Sequence, residues 1–215
     1  MSKLGTVTAS RVLVSDAGGT LTAGSITAGM IGASGLSAAS QIAAGTVTMK
    51  LLAGTVLAGT VANVTISGIP SGYASLQIEV LSRTNIAGTA MSQGGIRLNG
   101  DVANNYFYEV LSADGTSVSA SGAANDNLAL LIGAQGSTPA NSYAYNVISI
   151  GNYDGTLAKS LTGYSTLVQG TVATKAAVYF IGGYWSGSVA LGTIQFISGG
   201  SFVPGSAFRV WGMPA

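Results

Sequence analysis

Neither cysteine nor histidine occurs in the 215 residues of this sequence. Without cysteine there is no disulfide, no thiolate nucleophile and no thiolate-bound metal. Without histidine there is no imidazole base for a Ser–His–acid triad. Charge is almost as scarce: eight Lys and Arg face seven Asp and Glu, for a net charge of +1. Charged residues make up 7% of the chain, against about 25% in ordinary soluble domains. So weak a field gives nothing to hold a polyanion, and nucleic-acid binding is not expected. A surface this poor in charge is a solubility risk for a free monomer and suits a subunit of an assembly.

What the chain has is glycine, 32 residues of it, and 47% hydrophobic residues, so it builds a core from small side chains rather than forming a disordered polar tract. The opening "MSKLGTVTASRVLV" has no continuous apolar run of the signal-peptide kind. No charge occurs from Leu51 to Gln77, but Gly, Thr, Ser, Asn and Pro70 interrupt that run, and no membrane insertion is expected.

Residues 21–60 carry a period. Leu21, Ile26, Ile31 and Leu36 are spaced five apart, and after one extra residue Ile42, Val47, Leu52 and Leu57 are again five apart. Five fits neither a helix nor a simple strand. A flexible linker is the plain alternative, yet linkers do not plant an aliphatic at every fifth position. One such unit cannot bury its apolar residue alone. The spacing therefore predicts several copies of the chain running side by side, with these eight aliphatics meeting at the axis.

Beyond residue 60 apolar and polar residues alternate in short runs separated by turn chemistry. "VANVTISGI" and "ASLQIEVLSRT" are followed by "GIRL" and "NYFYEVL", which flank Asn99-Gly100-Asp101, a hairpin cue because Asn-Gly accepts positive φ. Asp114-Gly115 and Asp154-Gly155 mark further turns. "NLALLIG", "YAYNVISI", "SLTGYSTLV", "AAVYFIGGYW", "LGTIQFIS" and "FRVWGM" complete about ten predicted strands, the pattern of a β-sandwich or jelly roll.

Several stretches carry a resemblance. "IAAGTVTMKLLAGTVLAGTV" is similar to the repeats of bacteriophage fibre shafts, and "ASRVLVSDAGGTLTAG" to the start of phage fibre and head-appendage proteins. "IPSGYASLQIEVLSRT", "RLNGDVANNYFYEVL", "LTGYSTL" and "FISGGSFVPGSAFRVWGMP" resemble phage minor structural proteins. The chain departs from that pattern at Arg209, Val210 and Trp211, where an aliphatic-Tyr ending is usual, and at Val102-Ala103-Asn104, where a glycine is usual. The resemblance implies a trimeric virion appendage whose start grips the particle and whose shaft projects outward. It implies no reaction.

The chemistry-bearing residues are few. Asn99, Asp101, Asn104 and Asn105 offer oxygens to Ca²⁺, but a single carboxylate makes a poor site, and a turn stitched by its own side chains explains them better. Glu79, Asp101, Glu109, Asp114, Asp126 and Asp154 show no spacing that points to a catalytic pair, and Arg83 and Arg97 are the expected ion-pair partners of the strand acids. Tyr184 and Trp185, behind Gly182-Gly183, are the candidate glycan contacts, against core packing as the ordinary role of such aromatics. Arg11, Val12, Leu13, Val14 and Asp16 mark a candidate strand that adds to the edge of another virion protein, against the plain alternative of a disordered terminus.

The expectation is an all-β chain without catalytic or cofactor chemistry: a virion-anchoring segment at 1–20, an elongated, intertwined, trimeric repeat shaft at 21–60, and a β-sandwich or jelly-roll head at 61–215. Its partners are two further copies of itself, capsid or tail proteins reached through the N-terminus, and a host-surface glycan. Its place is the virion surface, as a head fibre, capsid decoration or short fibre. A tail-fibre receptor-binding protein and a secreted carbohydrate-binding module are the alternatives.

Overall fold

The structure is a computed structural model that describes residues 12–15, 21–24, 49–86, 91–134, 142–169 and 175–214. It divides into two compact units, Met1–Val47 and Thr48–Ala215. The chain is all-β, with no helix among the described residues. In the first unit β1 (Val12–Ser15) pairs antiparallel with β2 (Leu21–Gly24). The limit expected between anchor and shaft thus falls between two paired strands. Val12, Leu13 and Val14 lie on β1 and Leu21 on β2. Arg11, Asp16, Ile26, Ile31, Leu36, Ile42 and Val47 lie outside the described residues.

Among the described residues the second unit has twelve strands: β3 (Lys50–Val56), β4 (Val61–Ser67), β5 (Ser75–Ser82), β6 (Met91–Leu98), β7 (Tyr106–Ala113), β8 (Val118–Asp126), β9 (Ala129–Ala134), β10 (Ala144–Gly151), β11 (Lys159–Gln169), β12 (Lys175–Trp185), β13 (Thr193–Phe202) and β14 (Ala207–Met213). They form an eight-stranded sheet in the order β3-β14-β5-β10-β11-β12-β7-β8 and a four-stranded sheet in the order β4-β13-β6-β9, every pairing antiparallel.

Strict alternation explains why the sheets face each other. Leu76, Ile78 and Val80 of β5 and Phe208 and Val210 of β14 point from the large sheet into the same core that Ile194 and Phe196 of β13 and Ile96 and Leu98 of β6 fill from the small one. Phe208 meets Phe196 at 4.9 Å and, edge to face, Phe202 at 5.0 Å between ring centroids. A smaller cluster of Val110, Ala144, Leu167, Ala177 and Ile181 underlies the β10-β11-β12-β7 part of the large sheet. Asn146, buried in β10, is satisfied there: its Nδ2 donates to Val80 O at 3.3 Å and its Oδ1 accepts the Ser165 hydroxyl.

The structure corrects three expectations. The second compact unit begins at Thr48 rather than at residue 61, because β3 joins the sheet beside β14, with Arg209 opposite Gly54. Leu52 and Leu57, expected from their spacing to be shaft residues, pack against the core of this unit, and Leu57 is fastened by backbone bonds to Ser206 O at 2.9 Å and from Gly205 N at 2.8 Å. Asn99-Gly100 has the positive φ values expected of it, 52° and 68°, yet it closes no hairpin. β6 pairs with β9 and β13, and β7 with β12 and β8, so the turn carries the chain from one sheet to the other. The Asp114-Gly115 turn does close a hairpin, with Ala113 opposite Val118. Its second strand, β8, is not among the predicted strands, since "VSASGAAND" lacks the large residues by which a strand is recognised.

Phe208→Ala should cost about 3–5 kcal/mol, because it empties the contact shared by both sheets. Urea unfolding followed by tryptophan fluorescence will measure it. A loss under about 1 kcal/mol, at the scale of surface changes, would show that the sheets are held together elsewhere.

Candidate functional site

Tyr184 and Trp185 are neighbours in β12 and so face opposite sides of the sheet. Trp185 is 2% exposed and stacks with Tyr106 in the core, their centroids 6.3 Å apart. As an expected glycan contact it is therefore withdrawn: a residue at this parity points between the sheets. Tyr184 is 43% exposed and lies flat on Phe107 of β7, 4.6 Å between centroids and 11° between planes. The register sets that pair directly opposite, Tyr184 to Phe107.

Trp185 is tied to the turn that changes sheets. Its indole N–H donates to Asp101 Oδ2 at 2.6 Å, the Asn105 amide donates to the same oxygen at 2.8 Å, and the Ala103 N–H donates to Oδ1 at 2.8 Å. Burial by itself would raise the Asp101 carboxyl, but the bonds from Asn105, Trp185 and Ala103 together outweigh it and hold the group below its ordinary value. Asn99 completes the corner: Oδ1 accepts from Gly192 N at 2.9 Å and Thr193 N at 3.1 Å, while Nδ2 donates to Ala190 O at 2.8 Å. Of the residues weighed as calcium ligands, Asn99 Oδ1 and both Asp101 oxygens thus accept from the protein's own N–H groups, and the Asn105 amide is a donor. Tyr106, whose hydroxyl oxygen accepts the Leu98 N–H at 2.8 Å, has its phenol pushed up to about 12, chiefly by burial.

Sequence reasoning passes over Lys159. It is buried beside Trp185, with its ammonium 5.9 Å from the indole centroid and donating to Gly155 O and Leu157 O at 2.6 Å each. Desolvation lowers its pKa. The Asp154-Gly155 turn is therefore organised around a lysine placed after it, which no local turn pattern announces.

The remaining acids are engaged one by one. Glu79 accepts from Trp211 Nε1 at 3.0 Å and from Tyr145 OH at 3.3 Å. Arg97 donates to Asn127 O at 3.1 Å and Arg83 to Ser142 O at 3.5 Å. Asp126 accepts the Tyr108 hydroxyl at 3.1 Å, and Asp154 the Gly72 N–H at 3.0 Å. Asp114 caps its own turn through the hydroxyls and N–H groups of Thr116 and Ser117, which hold its carboxyl far below the ordinary range. Glu109 is different. It is exposed on β7, and its carboxylate makes no hydrogen bond among the described residues.

Around Glu109 the outer face of the large sheet forms a trough. Thr162, Gly182, Glu109 and Gly122 stand side by side on β11, β12, β7 and β8. On one side rises the Tyr184–Phe107 pair. On the other stand Phe180, 57% exposed, and Leu111, paired in the next register row. The space over this row comprises two adjoining hollows of about 480 and 460 Å³, which share Glu109 and Gly182.

Comparison with models of protein families, with curated proteins and with solved structures finds no match.

The Asp101 corner generates a pH prediction. A folded-state pKa below the ordinary value of 3.8 means that the group stabilises the fold above that pH, and that its contribution is lost as pH falls through the folded pKa. Asp101→Ala, which leaves the Trp185 N–H without an acceptor, should cost about 1–3 kcal/mol at neutral pH. The variant should also lose less further stability than the parent on acidification from about pH 5 to pH 2. Parallel urea titrations across that range give the comparison. Equal losses in both proteins would show that the carboxylate has no special place in the fold.

Proposed function

We propose that the chain is a structural, non-enzymatic subunit of a bacteriophage particle. In this reading three copies assemble through the repeat that precedes the head, the first twenty residues attach the trimer to a capsid or tail protein, and the head projects from the virion surface. The observation that carries the reading is the strand by which the chain enters the head. β3 is an edge strand of the large sheet, and Leu51 and Val56 on it are 48% and 62% exposed, with Met49 exposed just before them. Exposed apolar side chains on an edge with unpaired backbone groups are a liability for a monomer. Where three repeats run together, the three heads converge at this strand, and those side chains acquire partners. The scarcity of charge supports the same reading, as does the engagement of every described carboxylate except Glu109 with turns and side-chain donors.

Sedimentation of the full-length chain should give three times the 21.2 kDa of one copy. Leu51→Glu combined with Val56→Glu places two carboxylates per copy at the convergence and should weaken the trimer at unchanged circular dichroism. Deleting residues 1–20 should leave a trimer that no longer joins particles. A parent chain that sediments as a monomer at micromolar concentration would remove the reading.

A further inference from the structure

We propose that the trough over Gly182 is a binding site for one neutral hexopyranose of a glycan. The proposal deepens the reading above by naming what a surface appendage would hold, while the binding itself rests on the trough alone.

Gly182 is the first reason. A glycine in the interior of a central strand costs stability, and it usually marks a bulge or the close approach of another backbone. Neither applies here. The pairing of β12 with β11 and β7 runs through Gly182 without a register shift, and a Cβ built on it meets nothing within 4 Å. Its neighbour Gly183 has a packing cause, since a Cβ there would stand 2.2 Å from Phe107 O. Folding does not require a glycine at 182. Its effect is to lower the floor between two apolar ridges.

The walls and the floor select the ligand. Phe180 and Tyr184 are four residues apart on β12, so the ridges stand about 13 Å apart, which leaves room for a single sugar ring between them. The Tyr184 and Phe107 rings stack on each other, so they close one end of the trough with an apolar wall of ring edges against which the C–H groups of a pyranose pack. Glu109, whose carboxylate lies over Gly122 on the β8 side of the trough and has no hydrogen bond among the described residues, is an acceptor for two neighbouring hydroxyls, and Thr162 stands on the other side of Gly182. No lysine or arginine lines either hollow, so phosphates, sulfates and acidic sugars meet only the Glu109 charge and are rejected. The floor strand β12 is paired on both sides and offers a peptide strand no edge; the free edge on this side of the sheet belongs to β8.

The exposed residues of β3 and this trough both lie on the large sheet, but near opposite ends of it. A twist of about 20° between neighbouring strands accumulates over the sheet to roughly 140°. Packing at the β3 end of the sheet therefore leaves the trough open.

The test uses the full-length chain with maltose, lactose and N,N′-diacetylchitobiose as probes, read by saturation-transfer difference NMR at about 10 mM, roughly ten times the Kd of a millimolar site. At least one probe should receive saturation on the protons of one ring face. Gly182→Val fills the trough with a side chain suited to a strand. It should abolish the transfer while the melting temperature stays the same or rises. Glu109→Gln should weaken binding about tenfold, and glucuronic acid should show no transfer. No transfer from the parent protein to any of the three sugars would overturn the proposal, as would equal transfer in Gly182→Val. A change of sedimentation in Gly182→Val without sugar binding would assign the trough to contact with another copy and overturn it too. A trimer that binds no sugar leaves the proposed function standing without this site; a monomer that binds sugar does the reverse.

Discussion

Phe208 stands on β14 and meets Phe196 and Phe202 on β13, and through that contact the two sheets share one core. The arrangement matters because the chain has so little else to join them. It has no disulfide, few charges, and small residues at many positions where another sandwich would place large ones. Cohesion is therefore concentrated at the few bulky side chains, which sit on interior strands: β13 between β4 and β6 in the small sheet, and β14 and β5 side by side in the large one.

From this core the outer surface of the large sheet is set by parity. Trp185 and Ile181 go inward, so Phe180, Gly182 and Tyr184 come outward, and the outward row on β7 must be Phe107, Glu109 and Leu111. Most strands are visible in the sequence because alternation is a local pattern. Which member of the Tyr184–Trp185 pair is buried is not, because that depends on the partner sheet. Gly182 reads in the sequence as half of an ordinary Gly-Gly step, and only the empty space above it sets it apart from Gly183. Lys159 looks like a solvated charge until the loop before it is seen to direct two carbonyls at its ammonium.

The hairpin expected at Asn99-Gly100 shows a related limit. The local chemistry is legible, and the positive φ is there. The path of the chain after a turn, however, is decided by where the next strand finds its neighbours. From β3 to β7 the chain passes from one sheet to the other at every connection, so these turns are corners between layers. Asp101 is the residue that makes the corner at 99–101 hold, since it binds the turn's own amides and the indole of a strand more than eighty residues away. A carboxylate in such a setting looks in sequence like a metal ligand or a turn residue, and it is the latter with a long-range partner.

The place of β14 has a consequence for biosynthesis. β3, the first strand of the second unit, has β14, the last described one, as its sheet neighbour. Translation at about 5–20 residues per second takes roughly eight to thirty seconds to cover the stretch between them. Through that interval β3 has no partner in the sheet. A chain that stops short of β14 can never complete it. Closure of the large sheet thus waits on β14, so that a finished sheet distinguishes chains that carry both strands from broken ones.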